Sequence, residues 1–321
     1  MSEIENHQLL WQPDTAVVEQ ANLTHYMRWL AAQKDLHFHT YHQLWTWSVE
    51  NIADFWESLW DYFGLTYSQR WETPLASREM PGAQWFPGAR LNYAENIFAR
   101  MTSERPMMLY KAEDEPLIEI SWQSVYDQAN RLAEALRQMG VQPGDRVVAY
   151  LPNIPQTITA VLAVASLGAI WSSCSPDFGS RSIGSLQPDR TKVLARWWLS
   201  LRRQGAADER AVWRNCSLPL PTIEQTILNC PFAKSSSGQP EKHRAVGRSL
   251  VASPARADEL CQVPFDHPLW CCTHLRYNRG CPSPSLQSHG GHLAGTCQTT
   301  IFHNDLKNRA TVSSGIPPRV G

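Results

Sequence analysis

Two stretches of this 321-residue sequence concentrate the side chains that could do chemistry. The first is Ser172-Ser173-Cys174-Ser175-Pro176-Asp177, a run of hydroxyls, a thiol and a carboxylate. Such a run can hydrogen-bond a polar ligand, and Ser173, Ser175 and Asp177 are its candidate contacts. The same composition also makes an ordinary polar loop. The second is Cys271-Cys272-Thr273-His274-Leu275-Arg276-Tyr277-Asn278-Arg279-Gly280-Cys281. Its arginines can attract phosphate charge. Its Cys271, Cys272, His274 and Cys281 are of zinc-ligating type, but Cys-x-x-Cys spacing is missing, and adjacent cysteines rarely share one tetrahedral ion. No metal site is expected.

The elements around the first stretch can be read from periodicity. Apolar Ile52, Phe55, Trp56, Leu59, Trp60 and Phe63 recur at helical spacing, with Ser48 as a possible cap and Gly64 as the stop. Large aromatics at this spacing mostly face a core. A second stripe, Trp122, Val125, Ala129, Leu132, Leu136 and Met139, predicts a helix ended by Gly140. Then Arg146–Leu151 is β-rich, Pro155 opens a helix running to Gly168, and Ala169–Ser173 is a further buried strand. Strand, helix and strand with short links form a βαβ unit and imply a parallel sheet. Ligand sites in such sheets lie at the carboxyl ends of the strands, where Ser172–Asp177 falls.

Composition divides the chain. Net charge is −1 overall, against a dedicated nucleic-acid binder. Residues 1–184 hold 12 basic and 21 acidic residues, whereas residues 185–321 hold 17 and 9. Only one of the 8 cysteines, Cys174, precedes residue 185. The basic half has no regular basic face with aromatics interleaved, so neither nucleic acid nor anionic lipid is expected as a partner. No signal peptide is visible, and the most apolar run, Ile158–Trp171, is too short to span a bilayer. Cysteines without a secretory signal suggest reduced thiols and a cytoplasmic protein.

Four stretches carry a resemblance: Trp85–Asn96 (WFPGARLNYAEN), Gly144–Val147 (GDRV), Tyr150–Pro155 (YLPNIP) and Ala165–Gly179 (ASLGAIWSSCSPDFG). They resemble the acetoacetate–CoA ligases of the AMP-forming acyl-adenylating superfamily, nearly continuously from about residue 10 to residue 183. The resemblance implies the N-terminal part of that family's α/β large domain. A helical N-terminal cap would span 1–100 and the start of the AMP-binding domain, with its parallel-sheet βαβ subdomain, 101–183. It also implies a two-step reaction. Acetoacetate attacks the α-phosphate of ATP, with magnesium bridging the phosphates, and the thiol of coenzyme A then displaces AMP. The family's late lysine, on a small C-terminal domain, is expected to be missing, because family members are roughly twice as long. No catalytic residue is therefore assigned, and no cofactor is expected to stay bound to this chain.

After Ile183 the resemblance stops and returns in islands at 220–227, 263–270 and 287–307. Divergence would not erase whole blocks and keep their neighbours at their spacing. Written in codons, Trp198–Gln204 can be TGG CTA TCG CTA CGG CGG CAA. From its second base this reads Gly-Tyr-Arg-Tyr-Gly-Gly, a family element. Trp270–Leu275, as TGG TGC TGT ACT CAT CTC, gives Val-Leu-Tyr-Ser-Ser from the last base of its first codon. Arg276–Arg279, as CGG TAC AAC CGG, gives Gly-Thr-Thr-Gly from its second base. Together these make the superfamily's phosphate loop, at its expected place. Frame errors after Ile183 would thus leave 184–321 as a disrupted, poorly ordered remainder, poorest over 185–285. The loop position is occupied by Thr273, His274, Arg276, Tyr277, Asn278, Arg279 and Gly280, so no intact nucleotide site is expected. His289 is expected to be structural. An inactive fragment is the rival to an active ligase.

Overall fold

The structure, a computed structural model, describes residues 12–112, 116–174, 191–197, 225–229, 260–274 and 283–307. The chain divides into two compact units, Met1–Leu65 with Leu293–Gly321, and Thr66–His292.

The first unit contains α1 (Thr15–Gln20), α2 (Asn22–Lys34), α3 (Tyr41–Glu50) and α4 (Ile52–Phe63). The expected stripe on α4 turns inward at Leu59, Trp60 and Phe63. The helix ends at Gly64, whose φ of +58° is left-handed backbone that suits a residue without Cβ. Ser48 does not cap it. A capping box of Thr40 and Gln43 starts α3 earlier, and Ser48 lies inside that helix, donating to the Trp45 carbonyl at 2.7 Å. Asn51 precedes α4 without a side-chain cap bond. Residues from the far end of the chain complete this unit. Phe302 packs on Tyr26 at 4.8 Å between ring centroids and on Phe63 at 5.5 Å. Asn22 donates from Nδ2 to the carbonyls of Ile301 and Leu306, both at 3.0 Å, and its backbone N–H reaches Asp305 at 2.8 Å.

The second unit is built on a six-stranded sheet. Small antiparallel pairs precede it: β1 (Leu75–Ser77) with β2 (Gln84–Trp85), and β4 (Met108–Tyr110) with β5 (Ile118–Ile120). Between those pairs lie β3 (Arg90–Leu91) and α5 (Tyr93–Phe98). Then come α6 (Trp122–Gln138), β6 (Arg146–Tyr150), α7 (Pro155–Ser166) and β7 (Ile170–Cys174). The predicted βαβ unit is present, because β6 and β7 pair in parallel from Arg146↔Ile170 to Tyr150↔Cys174. The apolar stripe of α6 buries Val125, Ala129 and Leu136 against this sheet's core, and α7 buries Ala160 and Leu162 through Ala165 in the same cluster.

The remaining strands are β8 (Thr191–Trp197), β9 (Gln225–Asn229), β10 (Val263–Pro264), β11 (Pro268–His274) and β12 (Ser283–Ser288), followed by α8 (His289–Cys297) and a π-helical turn, Gln298–His303. The sheet order is β12-β11-β7-β6-β8-β9. All neighbours are parallel except β11 with β12. The expectation of poor order over 185–285 falls mostly outside the described residues. Its described parts are the strands β8 to β11 and their turns, with the start of β12. Among the described residues, no helix is long and apolar enough to cross a membrane.

One buried side chain ties the second unit together. Asn92 caps α5, its Oδ1 accepting from Ala94 N–H at 2.9 Å and Glu95 N–H at 3.3 Å. Its Nδ2 donates to the Ala165 carbonyl at the end of α7, at 2.9 Å, and to the Cys261 carbonyl at 2.8 Å. Asn92→Ala removes a helix cap and the donor to two carbonyls. The expected loss is roughly 2–4 kcal/mol of stability. A urea titration followed by tryptophan fluorescence should show the midpoint falling accordingly.

Candidate active site at the carboxyl edge of the parallel sheet

The two chemically rich stretches are 99 residues apart along the chain, counting from Ser172 to Cys271, yet the sheet sets them side by side. Trp270 pairs with Trp171 and Cys271 with Ser172, in parallel. Both strands therefore run toward the same edge, where β7 ends at Cys174 and β11 at His274. The sequence positions each strand for a simple reason. Trp171 and Leu269 are apolar and buried, so they face the core, and the register follows. Ser172 is buried too, and its Oγ donates to the Cys271 carbonyl at 3.2 Å, pinning the two strands at the last pair of their register. Ser173, by contrast, is exposed at that edge. The backbone of Thr273 and His274 reaches the same edge. Ser175 and Asp177 lie outside the described residues, as do Arg276, Tyr277, Asn278, Arg279, Gly280 and Cys281. Tyr150, at the end of β6, is paired with Cys174 and completes the row.

Among the described residues no group of three His, Cys, Asp or Glu side chains could hold a metal ion. Cys271 is buried, 2% exposed.

The base of the β11–β12 hairpin is held more tightly than its sequence suggests. At its start, His267 donates from Nε2 to the Gly168 carbonyl at 2.8 Å. Trp270 donates from Nε1 to Gln287 across the strands at 2.6 Å. At its end, His289 is fully buried, and its Nδ1 accepts from the backbone N–H of Tyr93 at 3.2 Å. Burial, reinforced by neighbouring His267, pushes the pKa of His289 down to about 3, so the ring is neutral at pH 7. It binds backbone rather than facing solvent, in line with a structural role. The preceding strand β10 pairs with β3, Val263 against Leu91, and Arg90 donates to the Gln262 carbonyl at 3.0 Å. Sequence reasoning assigned no role to Asn92 or Gln262. The long-range side-chain bonds of these two residues span 73 to 169 residues, and no local pattern marks those bonds.

Comparison with known proteins puts this arrangement in context. Residues 41–97 match the acetyl-coenzyme A synthetase N-terminus family, and residues 97–187 match the AMP-binding enzyme family. Over these residues the chain is similar to AMP-binding enzymes, and its α/β fold is shared with a solved relative. The proteins it is similar to include acetoacetyl-CoA synthetases. One from Rhizobium meliloti is 32% identical over 307 residues, covering 93% of this chain and 46% of that protein. One from Mus musculus is 36% identical over 320 residues, covering 95% and 46%. The solved acetoacetyl-CoA synthetase from Streptomyces lividans superposes with a TM-score of 0.83 at 35% identity, covering 94% of this chain and 46% of that one. The chain thus spans about half the length of the relatives it matches.

Gly290 offers a direct test of how closely the hairpin base is packed. A Cβ placed on it would lie 2.0 Å from Cδ2 of Phe265, whose ring is itself buried and lies tilted against Phe86 at 4.9 Å between centroids. Gly290→Ala should therefore destabilise the second unit by about 1–3 kcal/mol. A lowered thermal midpoint, read by circular dichroism, is the expected result.

Proposed function

We propose that this chain derives from an enzyme that joins acetoacetate to coenzyme A through an acetoacetyl-adenylate, and that the chain as it stands does not form that adenylate. The observation that carries the reading is the convergence of the β7 and β11 ends on one sheet edge. Such an edge is where parallel α/β sheets bind ligands. On this reading Ser173, with Ser175 and Asp177 beyond it, faces the acyl-adenylate. The segment after His274 would have to wrap the phosphates of ATP.

That wrapping needs small residues, so that backbone N–H groups can approach the phosphate oxygens. The sequence supplies Leu275, Arg276, Tyr277, Asn278 and Arg279 instead, with Gly280 the one glycine of the loop. Arginines attract phosphate, but attraction alone does not fix a geometry for in-line attack. The alternative codon reading of this very segment gives Gly-Thr-Thr-Gly, which supports a frame error as the cause. The AMP-binding match supports it as well, since it ends at residue 187, close to where the resemblance breaks. So does the seating of the later family-like islands. Val263 pairs with Leu91 and Asn22 binds Asp305, although the segments before them do not resemble the family.

The test is acetoacetate-dependent exchange of labelled pyrophosphate into ATP. It is run on this chain and on a full-length version with the alternative frames restored from Gly184 onward. Losing one preorganised donor in such a site costs roughly 10²–10³ in rate. This chain should show no exchange above background, and the restored version robust exchange that needs acetoacetate. Robust exchange by this chain would overturn the reading of the loop. No exchange by the restored version would overturn the assigned activity.

A further inference from the structure

His289 is fully buried where β12 passes into α8. Three backbone hydrogen bonds meet around it. Tyr93 N–H donates to its Nδ1, its own N–H donates to the His267 carbonyl at 2.9 Å, and Gly290 N–H donates to the Phe265 carbonyl at 3.0 Å. Because Nδ1 accepts, the ring proton sits on Nε2, which is buried with no hydrogen-bond partner. The ring therefore occupies the one protonation state the site tolerates. A second proton would have to go on Nδ1, where it would point at the Tyr93 N–H, donor against donor. It would also place a cation at the positive end of α5.

We propose that His289 is a proton-sensitive clasp that holds the end of β12 against the N-terminus of α5 when neutral and lets go when protonated.

The groups around it do nothing to soften that response. His267, from the turn before β11, lies with its ring 5.7 Å away and adds repulsion once charged. Its neighbour Asp266 is exposed. On α5 the carboxylate of Glu95 is engaged by Gln262 Nε2 at 2.8 Å. Beside β3, Arg90 donates to the Gln262 carbonyl. On α8, His292 lies against Trp270 at 4.0 Å and Tyr93 at 5.5 Å, and its burial also favours the neutral ring. No carboxylate is bonded to Nε2 of His289.

The sign follows from linkage. The released ring takes up its proton near its ordinary value of 6.5, whereas the clasped ring does so only near 3. The clasp is fully stable above the released value and weakens as pH falls through it. Between pH 7.5 and 5.0 the released state should gain about thirty-fold in relative population.

Hydrogen–deuterium exchange read by mass spectrometry tests this, after correction for the intrinsic pH dependence of exchange. Peptides covering 90–96 and 286–292 should lose about thirty-fold in protection between pH 7.5 and 5.0, while a peptide from α6 keeps its own. In His289→Asn, the side-chain oxygen still accepts from Tyr93 N–H but does not titrate, so both peptides should stay protected at both pH values. Unchanged protection in the natural chain would overturn the proposal. So would an equal loss in His289→Asn, or an equal loss in α6. Should that variant not fold, the contrast between the two peptides and α6 in the natural chain decides alone.

Discussion

The second unit depends on a single buried amide. Asn92 has no access to water, so each of its polar atoms must find a protein partner or cost the fold its desolvation energy. It meets that demand by bridging three pieces of chain that share no local sequence: the start of α5, the end of α7 and the segment at Cys261. Asn96, one turn further along α5, repeats the device with Thr66, whose backbone N–H and carbonyl both bond to its side chain. An Asp at either place could accept but not donate, and a Ser could not span the distances. The Asn-x-x-x-Asn spacing within Trp85–Asn96 is thus explained by architecture, without assigning it a part in catalysis.

This framework governs where chemistry can occur. With α7 and the Cys261 segment held together, β10 can pair with β3 and β11 can enter beside β7. The parallel register then delivers Ser173 and the backbone of Thr273 and His274 to one edge. The pairing is set by apolar residues deep in the sheet, while Ser173 stands exposed at its edge. Position and reactivity are therefore specified by different residues.

Much of this was legible in the sequence because it is local. The stripe and glycine stop of α4, the stripe of α6 and the proline at the start of α7 each follow from short-range sterics and burial, and together they gave the βαβ unit. The cap of α4 was misread because a competing capping box upstream is stronger than Ser48 alone. What could not be read is non-local. The strand Thr191–Trp197 shows no clean alternation, and its place beside β6 comes from pairing rather than pattern. Tyr93 and His289 are 196 residues apart, and neither residue type announces the other. At the candidate site, the β7 end was expected from topology, whereas its neighbour β11 could be placed there only through the family resemblance.

The contacts that bind the later family-like segments to the early ones are short and discrete: Val263 with Leu91, His289 with Tyr93, Asp305 with Asn22. None of them involves the chain between those segments. Errors confined to the intervals would leave those contacts in place. For a lineage carrying such a gene, decay of function and decay of structure would run on separate clocks.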